Sequence, residues 1–272
     1  MNRFAFAASL LAAAALLPLS AARSAAQEPS GKWVVDYGET YCTASRKYGT
    51  ADKPVTFALR PSASGKIIRL MIVRRGRVGG PHHIKVNVDH SGVPIKATAL
   101  QFPSRDPKLE ISWINLERQA LDGIGKSERI AIRGGGMDEE FALPQIGEVL
   151  AALQTCNDDL RQHWNVEGVA GAASIEKHAR SAKSLAAYFS DTDYPMQALM
   201  EGAGGMSRFT LLVDETGALK DCTVDETSGI ASLDAQSCAV LMERAKFTAA
   251  LDSAGKPVRS VVYSAVRWVS PN

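Results

Sequence analysis

The first half of the chain alternates apolar and polar residues in short runs that are separated by turn residues. A period of two predicts β-strands, because successive side chains of a strand point to opposite faces. Short strands at this spacing indicate a small sandwich or barrel. The predicted strands are Lys32–Val35, Tyr41–Lys47, Val55–Arg60, Ile67–Val73, His83–Val88, Lys96–Phe102, Lys108–Ile114, Arg129–Ile132 and Glu139–Leu143.

A helical pattern follows these strands. From Ile146 to Trp164, apolar residues recur every three or four positions and form a single stripe. The stripe predicts one helix that covers the strands. We therefore expect a mainly β domain over residues 28–164, a small sandwich or barrel closed by one helix.

The pattern weakens in the middle of the chain. Residues 165–174 are rich in Gly, Ala and Val without periodicity, which predicts a linker. Residues 175–189 favour a short helix. We assign residues 165–189 to a linker and short helix between two domains.

In the last segment, residues 190–272, some stretches have the apolar period of a strand and others have that of a helix. It predicts an α+β domain with a three-stranded antiparallel sheet and a covering helix, and Ser232 is positioned to cap that helix. The predicted elements are a short helix at Met196–Glu201, strands at Met206–Val213, Ala218–Glu226 and Val258–Val269, and a helix at Leu233–Ala245.

The N-terminus predicts export. Arg3 precedes the apolar run Phe4–Ala22, and small residues lead to Ala26, as in a signal peptide over residues 1–26. Cleavage would release the chain into the periplasm. The alternative is that the run stays uncleaved and anchors the chain in the inner membrane, facing the periplasm.

Charge excludes nucleic acid as a partner. The chain has 31 basic and 29 acidic residues, a net charge of +2. Removal of residues 1–26 takes away Arg3 and Arg23 and no acid, so the mature chain would be neutral. Recognition of nucleic acid depends on a basic surface.

The residues predict no catalytic site, metal or other cofactor. His82, His83 and His90 are close in sequence, but adjacent residues of a strand point to opposite faces. The glycines after Arg133 lack the Lys-Ser/Thr of a phosphate loop. We therefore predict a non-enzyme, and the alternative is an exported enzyme with an unrecognised site in the N-terminal domain.

The even number of cysteines predicts two disulfides in an exported chain. Four cysteines allow three connectivities, of which we favour pairing within each half of the chain. Cys156 lies on the apolar stripe of the predicted helix, where it could meet Cys42. This choice leaves Cys222 to pair with Cys238.

The last segment contains a characteristic series of residues in one order: Tyr194-Pro195, Ala198-Leu199, Phe209–Asp214, Gly217, Val224, Thr227–Gly229, Leu233-Asp234, Phe247, Ala250 and Gly255–Val258. With this series it resembles the C-terminal domain of TonB energy transducers, over about the last 80 residues. Two departures are Ala249, where the family usually has proline, and the missing aromatic residue before Lys246-Phe247. The first 165 residues lie outside this likeness and only faintly resemble invasion-associated locus B proteins.

The resemblance implies peptide binding. In TonB domains a short segment of an outer-membrane receptor, the TonB box, adds as a strand to the sheet edge. By this analogy the last strand would bind the peptide, and the same edge could instead pair two copies as a homodimer. The implied contact residues are Ser260, Val261, Tyr263, Ala265 and Arg267.

The resemblance leaves two roles open. The family's energy transducers have an inner-membrane anchor and a Pro-rich spacer, whereas the 12 prolines of this chain are scattered. We therefore favour a periplasmic TonB-like binding protein over a membrane-anchored transducer. A membrane contact is expected only if the N-terminal segment is uncleaved.

Overall fold

The computed structural model describes residues 26–270, so the predicted signal peptide lies outside the described residues except for Ala26. Within this range no helix has the length and apolar character needed to cross a membrane. The described chain contains two apolar cores, one in each half.

The N-terminal half forms one antiparallel sheet of nine strands in the order β1-β2-β3-β4-β7-β6-β5-β8-β9. All nine predicted strands are present, with ends shifted by a few residues. The strands are β1 (Val34–Tyr37), β2 (Cys42–Gly49), β3 (Pro54–Pro61), β4 (Ile67–Arg75), β5 (His82–Asp89), β6 (Ile95–Pro103), β7 (Leu109–Glu117), β8 (Arg129–Gly134) and β9 (Met137–Ala142).

This sheet curls around its core until its two ends meet. The Phe141 ring of β9 lies 4.9 Å from Tyr48 of β2 and 5.0 Å from Phe57 of β3, centroid to centroid. Gln27 and Pro29 bridge the remaining gap, since they pair with Phe141 and Tyr48 respectively. The sheet is therefore barrel-like, one of the two predicted forms.

Two helices complete the N-terminal half. The short helix α1 (Ala120–Ile124) was not predicted, whereas α2 (Ile146–His163) confirms the apolar stripe. The predicted disulfide between Cys42 and Cys156 is present, with 6.0 Å between the Cα atoms. It joins α2 to β2.

The predicted short helix over residues 175–189 is wrong. The segment forms the strands β10 (Ile175–Lys177) and β11 (Arg180–Ser181) and a 3₁₀ turn at Leu185–Tyr188. Strand β10 pairs with β15 (Ala250–Asp252), and β11 pairs with β14 (Phe247–Thr248). This pairing with distant residues overrides a weak local helix preference.

The C-terminal half confirms the predicted three-stranded antiparallel sheet, in the order β13-β12-β17. One face of this sheet packs on α4, and a disulfide joins Cys222 of the sheet to Cys238 of the helix. The elements are α3 (Met196–Met200), β12 (Gly205–Val213), β13 (Leu219–Glu226), α4 (Ala231–Arg244), β16 (Pro257–Val258) and β17 (Ser260–Trp268).

The predicted cap of α4 is wrong, because the helix begins at Ala231 and Ser232 lies inside its first turn. The buried carboxylate of Asp234 acts at this helix end instead. It accepts hydrogen bonds from the hydroxyl of Ser207 at 2.6 Å and from the backbone N–H of Ser228 at 2.8 Å. These bonds fix the approach of the chain to α4.

Candidate functional site

The strand β17 lies at one edge of the C-terminal sheet. It pairs with β12 along its whole length, from Ser260 to Trp268. No other strand pairs with its second side among residues 26–270. An edge strand of this kind presents a row of unpaired backbone N–H and C=O groups.

Contacts at the opposite edge of the sheet, β13, show which backbone groups of that strand point away from β12. The carbonyl oxygen of Val224 accepts hydrogen bonds from Arg69 Nη2 at 3.3 Å and from Asn115 Nδ2 at 3.2 Å. Both donors belong to the N-terminal half. The backbone of Val224 therefore faces away from β12.

The direction of the β17 backbone follows from this observation. Val224 pairs with Phe209 of β12, and Phe209 pairs with Ser264 of β17. In an antiparallel sheet, residues alternate between bonding to one neighbour and to the other. Ser264 therefore bonds to β12, and the backbone groups of Tyr263 and Ala265 point to the free edge.

The start of β17 agrees with this alternation. Asn165 donates its side-chain amide to the carbonyl of Arg259, 2.8 Å away, so this carbonyl also points outward. The next outward residue is Val261. The free edge accordingly presents the backbone N–H and C=O groups of Val261, Tyr263, Ala265 and Arg267.

These are four of the five residues predicted from the resemblance, and the structure places them together. Their side chains lie on the sheet face away from α4, where Val261 packs against the N-terminal core. The fifth, Ser260, is set apart. Its side chain is 1% exposed and its backbone pairs with Val213 of β12.

The N-terminal half forms one wall beside the free edge. The ammonium group of Lys66 lies 4.7 Å from the centre of the Tyr263 ring, a cation–π contact. Burial raises the pKa of Tyr263 above its ordinary value. Leu212 of β12, on the same face, joins the N-terminal core. An added strand would therefore touch both halves of the molecule.

The β13 edge, in contrast, is held against the N-terminal half. Arg69 is 6% exposed and stacks on the Trp113 ring at 4.4 Å. Burial lowers the pKa of Arg69 to about 10. Arg60 contacts Asp221 of β13 at 3.7 Å. These contacts leave β17 as the open edge of the described sheet.

The sequence does not indicate the roles of Lys66, Arg69, Asn115 and Asn165. All four lie in strands, turns or a linker far from the residues that they contact. Alternation of apolar and polar positions shows that Arg69 faces outward, but it contains no signal that a second domain covers that face.

The histidines form no metal site in the described part of the chain, where no group of three or more His, Cys, Asp or Glu side chains could hold an ion. His82 Nδ1 lies 3.0 Å from the carbonyl of Gly80, and His83 Nδ1 lies 3.0 Å from that of Gly229. His83 thus joins the two halves of the molecule.

A scan against protein-family models identifies the domain that carries the open edge. Residues 190–269 match the Gram-negative bacterial TonB protein C-terminal family. The match confirms the resemblance, and it contains β12, β13, α4 and β17. The residues before 190 lie outside it, and no curated protein matches the chain.

The TonB C-terminal family is a non-enzymatic domain of transport and binding. The match indicates TonB-like involvement in outer-membrane transport. It also indicates that the protein is associated with the cell envelope. The match does not include the N-terminal sheet.

Proposed function

We propose that this protein binds extended peptide segments of outer-membrane TonB-dependent receptors by adding them as a strand alongside β17. The observation that carries the proposal is the open edge of β17, whose outward backbone groups belong to Val261, Tyr263, Ala265 and Arg267. Backbone hydrogen bonds would supply affinity, and alternate side chains would supply selectivity.

The length of the open edge suits a short peptide. A strand rises about 3.3 Å per residue, so the distance from Val261 to Arg267 is about 20 Å. A segment of about seven residues would cover it. Its side chains would alternate between the α4 side of the sheet and the wall that contains Lys66.

We further propose that the protein works in the periplasm after removal of its signal peptide. A folded nine-stranded sheet occupies the place where an energy transducer has its Pro-rich spacer. This arrangement favours a binding role over a membrane-anchored transducer that pulls on its receptor.

The test replaces Ala265 by proline. Its N–H points to the free edge, and proline is tolerated on the open side of an edge strand. Ala265→Pro removes one donor and places the ring where the added strand would lie, so we expect the affinity for synthetic TonB-box peptides to fall about tenfold. Isothermal titration calorimetry measures the change.

Ala265→Val is the matched control, because it keeps the N–H and favours the strand. It should bind the peptides within about threefold of the original protein. Failure of the unmodified protein to bind any of the peptides, or equal binding by the proline and valine variants, would contradict strand addition at β17.

A further inference from the structure

A groove of about 680 Å³ lies between the two halves of the molecule, away from the β17 edge. One wall is the outer face of β6 and β7, and the other is β13 with the first half of α4. Ligand pockets typically have volumes of about 300–1,000 Å³ and often lie between domains. The lining side chains that matter here are Leu100, Phe102, Trp113, Ala235 and Cys238.

The first wall is apolar without being part of a core. Leu100 and Trp113 are cross-strand neighbours, and the Phe102 and Trp113 rings meet edge to face at 4.7 Å. Their chain neighbours Ala99 and Ile114 fill the barrel core, so Leu100 and Trp113 must face outward. The wall offers an aromatic surface to the groove.

A disulfide holds the second wall together, and further contacts join the two walls of the groove. The disulfide of Cys222 and Cys238 ties β13 to α4. The Arg60–Asp221 ion pair and the contact of His83 with Gly229 join the two halves of the molecule at the groove. A ligand would therefore enter a formed site, with little loss of conformational entropy.

The charged groups in the groove already form hydrogen bonds or ion pairs within the protein. Arg69 donates to Asn115 Oδ1 at 2.9 Å as well as to the carbonyl of Val224. Glu226 pairs with Arg208 at 3.2 Å. Burial raises the pKa of Asp225, which favours its neutral form. An ionic ligand would lose hydration and would have to compete with these contacts.

Polar groups in the groove remain open to a ligand. Trp113 Nε1 and Asp225 Oδ1 are buried there without a hydrogen-bond partner among the described residues. The backbone of Val224 faces outward, so its N–H points to the groove beside its bonded carbonyl. A ligand with a carbonyl oxygen could accept a hydrogen bond from this N–H.

We propose that the groove binds an uncharged aromatic molecule that carries a carbonyl group. Its ring lies against Leu100, Phe102 and Trp113, and its oxygen accepts the N–H of Val224. This site is separate from the β17 edge and does not depend on strand addition.

The test uses prodan, an uncharged naphthalene ketone whose fluorescence shifts to the blue in apolar surroundings. With the full chain we expect saturable one-to-one binding and a blue shift. The anionic naphthalene sulfonate ANS should bind about tenfold more weakly, because its charge finds no partner in the groove. Absence of saturable prodan binding, or equal affinity for ANS, would overturn the proposal.

Two exposed alanines of α4 provide matched variants. Ala235 lines the groove, whereas Ala239, one turn further along, does not. Ala235→Trp should fill the groove and weaken prodan binding about tenfold or more, and Ala239→Trp should leave it unchanged. Because both positions are exposed, both variants should fold. Equal effects of the two tryptophans would place the bound dye elsewhere and refute the site.

Discussion

The nine-stranded N-terminal sheet and the C-terminal sheet β13-β12-β17 treat their edges in opposite ways. The N-terminal sheet curls until Phe141 of its last strand meets Tyr48 and Phe57 near its first, and Gln27 and Pro29 bridge the gap. The C-terminal sheet has two edges, of which β13 is held by Arg69 and Asn115. Closure and covering both obstruct the addition of a strand, so β17 is the edge of these two sheets at which a further strand can be added.

Both sheets nevertheless use the same device to hold their covering helix. A disulfide joins α2 to β2 in the N-terminal half and α4 to β13 in the C-terminal half. The separations differ greatly, 114 residues against 16. The chain-entropy account therefore predicts unequal contributions to stability.

The largest expected effect comes from these disulfides. Replacing both Cys42 and Cys156 by alanine should lower the free energy of unfolding by about 5 kcal/mol, and replacing Cys222 and Cys238 by about 3 kcal/mol. Guanidinium unfolding followed by circular dichroism measures both. A larger loss from the second pair would show that loop length does not govern the difference.

The second largest expected effect concerns β13, the covered edge of the C-terminal sheet. Arg69→Met removes two hydrogen bonds from a buried charged group, to Asn115 and Val224, and should cost about 3 kcal/mol. We expect faster amide exchange along β13, because that edge loses part of its cover. The matched control is Arg77→Met, an exposed position, which should change stability by about 0.5 kcal/mol or less.

Exchange along β13 that stays the same in Arg69→Met would mean that other contacts hold this edge. In that case the contrast between β13 and β17 would not depend on the arginine.

The smallest expected effect is a pH dependence confined to the C-terminal half. Arg244 donates to both oxygens of the buried Asp193, at 2.7 and 2.9 Å, and these bonds lower the carboxyl pKa to about 2. A lowered pKa stabilises the fold above the ordinary value near 4, and the benefit is lost as the pH falls from about 4 to about 2. Asp193→Asn should therefore remove part of the acid sensitivity over that range.

Thermal unfolding at several pH values checks this expectation, with Asp191→Asn as the exposed control. An unchanged pH profile in Asp193→Asn would show that this carboxylate does not contribute to acid sensitivity.

The strands could be predicted because each half-buried sheet repeats the same alternation, as in β7, where Ile114 and Leu116 face the core. The partner of Cys42 could be predicted because Cys156 lies on the apolar stripe of α2. The segment 175–189 could not, because its strands depend on pairing with residues about 70 positions later.

The candidate site was partly predictable. The resemblance indicated the edge strand, and four of its five residues present their backbone to the open side. The cover over β13 and the wall beside β17 were not predictable. No pattern in the sequence distinguishes Lys66, Arg69 and Asn165 from the other polar residues of the chain. Their roles arise when two domains pack together.

The most direct test of strand addition at β17 is residue-resolved amide hydrogen exchange with and without a TonB-box peptide. We predict that the amides of Val261, Tyr263, Ala265 and Arg267 exchange rapidly in the free protein and at least about tenfold more slowly with bound peptide. The intervening amides of β17, already bonded to β12, should change little. Protection that appears along β13, or at none of these four residues, would contradict the account.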